Sequence, residues 1–387
     1  MYITIKAGAQ QSNQERINII DELFAGNTDI VLPDSNSDRT IVRTKTYHYE
    51  QLPTTNHVHP EMMTVVNAKL KELRDKHPHP ETEYETFRIP KKTHGFREIN
   101  APLPELKQDL KYISNLLSGY LGILSHNSAW AYIPGRDVVY AMREHTANKS
   151  KWYLKIDLHN FFGSCNKEFI IKQLKKIYPF AAYPGDVTDT LLENIAMLAT
   201  KDDGLPQGTP LSPLLTNLIM VEFDYKINKL IYTLTKDTGL MQQKYIYTRY
   251  ADDIIISARN KFEYNILLDA LKDLFSDTPL TINEEKTRFG SSSGRNWNLG
   301  VMCNKDNNIT IGYKKKQHLK TIINNYMKDR DTNLIWDLED LYWLQGQLSW
   351  LHNVEPEYYT GFKRYLNNKY GKDVPTCILQ DIRQHNS

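Results

Sequence analysis

Tyr250-Ala251-Asp252-Asp253 sits between two apolar runs, Lys244-Tyr245-Ile246-Tyr247-Thr248-Arg249 and Ile254-Ile255-Ile256-Ser257. Both runs are rich in β-branched and aromatic residues, so the quartet reads as the tip of a β-hairpin. A tip built only to turn favours Asn-Gly or Asp-Gly, which reach positive φ at little cost. Ala-Asp-Asp does not. Adjacent carboxylates also repel, and each raises the other's pKa unless a cation stands between them. A divalent metal held by oxygen ligands explains the pair; a solvated acidic turn is the plain alternative.

A third carboxylate favours the metal. Lys151-Trp152-Tyr153-Leu154-Lys155-Ile156 reads as a strand ending in Asp157, and Leu158-His159-Asn160-Phe161-Phe162-Gly163-Ser164 follows as a turn. Asp157 is far from Asp252 and Asp253 in sequence, so only a tertiary fold unites them. Two Mg²⁺ ions (or Mn²⁺) on such carboxylates would clamp the attacking and leaving oxygens of an in-line phosphoryl transfer. The protein then adds mainly positioning and charge neutralisation.

In this order and spacing the motifs resemble those of reverse transcriptases, in the bacterial branch of retron, group II intron-like and defence-associated enzymes. Tyr-Ala-Asp-Asp resembles their catalytic signature, and Asp157 with Phe161-Phe162 their first palm motif. Gly204-Leu205-Pro206-Gln207-Gly208, running on to Ser212-Pro213, resembles their second. The likeness runs from about Tyr84 to the C-terminus and leaves the first 80 or so residues uncovered. It implies an α+β right-hand polymerase fold. An N-terminal extension (1–80) would precede fingers (81–150), a palm of antiparallel sheet flanked by helices (151–312, with part of the fingers around 166–203) and a helical thumb (313–387).

The resemblance also implies roles. Asp157, Asp252 and Asp253, with the carbonyl of Leu158, would be the metal ligands, and Lys286 would donate a proton to the leaving pyrophosphate. Phe162 falls at the steric-gate position, where a ring clashes with a ribose 2′-OH and so favours dNTPs. Gln207 and Gly208 match residues that touch the nucleotide. Phe87–Lys92 and Gly95–Asn100 read as two strands of a fingers ribbon; Arg97, beside Lys91 and Lys92, would bind triphosphate, a guanidinium suiting bidentate contact. Arg136, before a helix at Asp137–His145, reads as a phosphate grip. Tyr250 and the Lys314-Lys315-Lys316 run would flank nucleic acid.

Composition sets looser bounds. The chain has 387 residues, 40% hydrophobic and 24% charged, with a net charge of +2. That is ordinary globular composition and excludes a polycation, although a basic groove and an acidic site can cancel in the sum. Cys165, Cys303 and Cys377 are isolated, which excludes a zinc ribbon or a disulfide framework. No apolar run suits a signal peptide or a membrane span, so a cytoplasmic enzyme without membrane partners is expected. In residues 1–80, Asn13–Ala25 and Pro60–Lys76 fit helices; His57/His59 and His77/His79 read as loop histidines rather than ligands.

The expected activity is RNA-directed DNA synthesis from a DNA or RNA primer with dNTPs, on a structured non-coding RNA, in anti-phage defence. A protein partner or a homo-oligomer is compatible with this. Asn298-Leu299-Gly300 stands where retron enzymes usually show Val-Thr-Gly, and this points to a stand-alone enzyme. The alternatives are retron-type msDNA synthesis, template-independent or protein-primed polymerisation, RNA-templated RNA synthesis, and a non-catalytic nucleic-acid-binding module.

Overall fold

The computed structural model describes residues 58–90, 95–237, 244–292, 297–304 and 306–385. The expected helix at Asn13–Ala25, His57, Lys91 and Lys92 lie outside them. Helix α1 (Pro60–Lys76) opens on proline, where a missing N–H costs nothing, and closes with Arg74 and Lys76 at its negative end. Strands β1 (Tyr84–Pro90) and β2 (Phe96–Pro102) form an antiparallel ribbon. Helix α2 (Pro104–Asn115) buries Leu106, Leu110 and Ile113, then loosens into a π-helical turn at Leu116–Tyr120.

Next come α3 (Val138–Ala147), β3 (Trp152–His159), the single turn α4 (Phe161–Ser164), α5 (Lys167–Leu174) and α6 (Asp186–Ala199). Ser212-Pro213 opens two successive helices, α7 (Ser212–Ile219) and α8 (Val221–Asp237), jointed at Met220. Strands β4 (Ile246–Tyr250) and β5 (Asp253–Ala258), helix α9 (Tyr264–Phe275) and strand β6 (Thr281–Ser291) follow. Then come the short strands β7 (Trp297–Asn298), β8 (Val301–Cys303) and β9 (Ile309–Thr310), and the helices α10 (Tyr313–Asp331), α11 (Leu338–Val354), α12 (Pro356–Tyr370) and α13 (Val374–His385).

The chain divides into two compact units. The first comprises Met1–Gly135, Leu158–Leu230 and Leu268–Ile282. Within it α1 packs on α6, with Arg74 Nη1 donating to Asn194 Oδ1 at 3.1 Å. His77 is buried just beyond α1. Its Nδ1 lies 2.8 Å from Glu83 and its Nε2 2.8 Å from Asp109, so neither ring nitrogen is orphaned.

The second unit comprises Arg136–Asp157, Ile231–Leu267 and Asn283–Ser387. The central sheet runs in the order β4-β5-β3-β6. Ile254, Ile255 and Ile256 are fully buried, as β-branched residues on a strand covered on both faces should be. The core is continuous from Tyr153 and Ile255 to the C-terminal helices, where Leu341, Leu344, Leu348 and Leu351 form the α11 stripe. Behind the sheet His145 joins α3 to two strands, with Nδ1 at 2.6 Å from Ser257 Oγ and Nε2 at 2.8 Å from Thr248 Oγ1. Burial drives its pKa down to about 3, so it stays neutral.

Candidate active site

Strand β5 pairs antiparallel with both β3 and β4, and the register places Asp253 opposite Asp157 on one side and Tyr250 on the other. A slip of one residue would turn every side chain to the other face; the run of three isoleucines would tolerate that, but Ser257 would lose His145 and Asp253 would lose Lys155, and these polar ends oppose the slip. The turn between β4 and β5 adopts positive φ after all, at Ala251 (φ 55°), a residue that gains nothing from it. Arg249 is fully buried below, and its Nη1 donates to the Ala251 carbonyl at 3.3 Å.

Two lysines stand among the carboxylates. Lys286 Nζ on β6 lies 3.1 and 3.3 Å from the oxygens of Asp157, and Lys155 Nζ lies 2.9 Å from Asp253 Oδ1. Lys155 was not among the sequence candidates. Its signal was the strand period: two residues before Asp157, it emerges on the same face. Burial, then the charge of Asp253, holds Asp252 above the usual carboxylate range, against its own backbone N–H. Burial also raises Asp253, with Lys155 pulling the other way and Asp157 adding to the rise.

This donor set fits hard divalent cations. It offers carboxylate oxygens, partly desolvated and mutually repelling, so ionising all of them costs energy that a bound cation offsets. Among the described residues no three such groups stand at ready-made ligating geometry. The ammonium groups of Lys155 and Lys286 engage Asp253 and Asp157 instead.

The other unit carries Phe162, Gln207, Gly208 and Arg97. Phe161 is buried and Phe162 half-buried, so one of the pair is core and the other is presented. The exposed Tyr132 meets the Phe162 ring edge-on, with centroids 6.4 Å apart. The Leu205 N–H donates to the Phe162 carbonyl at 3.0 Å, and a Cβ placed on Gly204 would lie 2.6 Å from the Gly163 carbonyl oxygen. At the far end of this loop the Asn100 N–H donates to the Gln207 carbonyl at 2.9 Å. Gly208 (φ 113°) presses on Ile99 so closely that a Cβ would sit 2.9 Å from its Cγ2. The loop therefore links the presented ring to β2, where Arg97 is exposed opposite Ile89.

Some expected contacts change character. The N-terminus of α3 is not an open phosphate cradle, because Asp137 caps it, its Oδ1 accepting from the Tyr140 N–H at 2.8 Å. Arg136 is half-buried there, and desolvation lowers its pKa against the pull of Glu144. Lys316 is also removed from the expected basic run. It pairs with Glu355 at 2.5 Å and lies 3.9 Å over the Tyr358 ring, while Lys314 and Lys315 remain exposed. Tyr250 closes β4, half-buried. Asn298-Leu299-Gly300 is a hairpin tip, with Leu299 and Gly300 both at positive φ.

Residues 89–321 match the family model described as reverse transcriptase (RNA-dependent DNA polymerase), and the chain belongs to that family. It is an RNA-directed DNA polymerase with a right-hand polymerase fold; the family works with divalent metal ions and takes an RNA template. The chain is 27% identical over 310 residues to the retron Ec83 reverse transcriptase of Escherichia coli, covering 77% of this chain and 90% of that one. It is 29% identical over 302 residues to the retron Ec73 enzyme of the same organism, covering 74% and 86%. The change at Asn298-Leu299-Gly300 thus coexists with overall similarity to retron enzymes. Among solved structures, Candida albicans telomerase in complex with a telomeric RNA fragment aligns at TM-score 0.43 and 12% identity, over 78% of this chain and 63% of that one. That likeness is too distant to bear on function. No helix among the described residues is long and apolar enough to cross a membrane.

Proposed function

We propose that Asp157, Asp252 and Asp253, with the carbonyl of Leu158, hold two Mg²⁺ ions for primer extension. Bound there, the ions would neutralise charge on the attacking and leaving oxygens of phosphoryl transfer. The observation that carries this reading is the register of β5, which sets Asp253 opposite Asp157 with Asp252 at the adjoining turn. Lys286, beside Asp157, is the proton donor for pyrophosphate, and Arg97 with Lys91 or Lys92 takes the triphosphate. Gln207 and Gly208 line the nucleotide, and Phe162 excludes the ribose 2′-OH. Tyr250, Arg136, Lys314 and Lys315 lie toward nucleic acid. Residues 81–150, 151–312 and 313–387 act as fingers, palm and thumb.

The template is a structured non-coding RNA, copied in the cytoplasm as part of anti-phage defence. Retron-type msDNA synthesis is the second reading, favoured by the names of the relatives. Extension of a primed RNA with dNTPs or rNTPs tests the chemistry, and sequencing the nucleic acid that copurifies tests the template. Synthesis undiminished in Asp252→Ala and Asp253→Ala would overturn the site. A copurifying RNA whose branched DNA product stays linked to it would favour the retron reading.

A further inference from the structure

A hollow of about 670 Å³ opens in the unit that carries the three aspartates, lined by Arg143, Lys149, Lys151, Asp306, Asn307 and Asn308 among others. It lies where β3 begins, whereas Asp157 lies near the strand's end, and the extended chain between Lys151 and Asp157 spans ~20 Å. Three cations face one acid. Arg143, Lys149 and Lys151 are exposed, and among the described residues none of them pairs with a carboxylate.

The bland account is that cations gather at the C-terminus of α3 to satisfy its carbonyls. Those carbonyls are already served. The Arg143 carbonyl accepts from Thr146 Oγ1, that of Glu144 from the Asn148 N–H and that of His145 from the Ser150 N–H. The Thr146 carbonyl accepts from the Lys149 N–H and from the Asn307 amide. The Lys149 and Lys151 ammonium heads are thus left over from the helix end's own needs, and the Arg143 guanidinium, 5.0 Å over the Tyr140 ring, keeps its charge without a carboxylate partner. In a chain whose charges otherwise nearly cancel, such a local surplus is a surface for an anion.

We propose that this hollow grips the phosphodiester backbone of a nucleic acid away from the polymerising site. The proposal rests on the RNA-directed reading for its leading ligand, the structured RNA that the enzyme copies. An acidic protein is the competing occupant. Protein hot spots favour aromatic anchors in apolar pockets, and this lining holds no aromatic residue and only Ala147 as an apolar one. Backbone recognition asks instead for several cations beside amide and hydroxyl groups, which Asn307, Asn308 and Ser292 supply.

The test uses the full chain with Arg143→Gln, Lys149→Gln and Lys151→Gln combined. An RNA stem–loop and a DNA hairpin of the same sequence are titrated by fluorescence anisotropy over a range of salt. Each lost phosphate contact lowers the slope of log K against log salt by about 0.9, so a fall of roughly 2–3 is expected, with about tenfold or more lost in affinity. Extension of oligo(dT) on saturating poly(rA) stays at the wild-type rate. Loss on either hairpin supports the proposal, and which hairpin identifies the source as template or product. Unchanged slope and affinity on both overturn it, as does loss only of a copurifying acidic protein. Should the triple variant melt early, Lys149→Glu alone is read by the same slopes. Anisotropy needs no catalysis, so a wild-type chain inert on every primed template would refute the polymerase reading without touching this one.

Discussion

Two antiparallel pairings in this molecule carry proposed nucleotide chemistry, and they differ in almost every other respect. The β3–β5 pair is buried along nearly its whole length, and Ile254, Ile255 and Ile256 are fully enclosed. The β1–β2 ribbon is exposed along β1 and the first half of β2, with Phe87, Ile89 and Phe96 facing solvent. The first pairing fixes carboxylates whose separation decides whether ions can bind. On the function proposed above, the second offers Arg97 to a triphosphate that must enter and leave. Low burial means low local stability, so the ribbon opens at a smaller free-energy cost than the sheet.

The largest effect expected is at the rigid pair. Asp253→Ala lowers primer extension by about three orders of magnitude or more, several kcal/mol of transition-state stabilisation. RNA affinity, read by filter binding, stays within about twofold, because a lost ligand leaves the fold intact. Extension at near wild-type rate would mean that Asp253 is not a ligand. The next break concerns stability. Ile256→Ala removes buried volume from the sheet and costs about 2–5 kcal/mol in urea unfolding. Ile89→Ala, the same deletion on the ribbon, costs about 0.5 kcal/mol or less. Equal costs would erase the contrast.

On the ribbon itself, Arg97→Ala raises KM for dNTPs about tenfold or more, the strength of a charge-assisted contact, and leaves the melting temperature unchanged. A change confined to kcat would place Arg97 elsewhere in the cycle. The smallest effect tests an anchor of the unit that carries the ribbon. Burial pulls the His77 pKa down, but hydrogen bonds to Asp109 and Glu83 outweigh it and hold the pKa above its ordinary value. The protonated ring therefore contributes stability in full below about pH 6.5, and the contribution is lost as pH rises through the raised pKa. Urea midpoints should fall over that interval in the wild type and flatten in His77→Gln. Parallel curves would remove the charge from the account.

What the sequence disclosed follows the same division. Strand alternation and isoleucine content located β3, β4 and β5, and Pro60 marked its helix to the residue. The three aspartates were legible because like charges beside apolar strands need a reason. Lys155 was overlooked because a single lysine in a strand looks like a solvated edge until a partner strand gives it an acid. Lys316 was misjudged for the converse reason: Glu355 is remote in sequence, so the ion pair that withdraws it from the basic run leaves no local trace. Glu284, Glu285 and Lys286 have weak strand propensity, yet β6 carries them in extended form, since pairing in the sheet overrides it.

The main-chain meeting of Gly163 and Gly204 has a consequence for how this enzyme varies. Because the obstacle at Gly204 is a backbone carbonyl, no rotamer change nearby could make room for a methyl group. The seat beneath residue 162 is thus fixed independently of what sits on it, and a different ring, or none, can occupy it without rebuilding the support. With Phe162 as the proposed sugar gate, discrimination would drift by single substitutions on an unchanged mount, while alanine at position 204 would dislodge the mount itself.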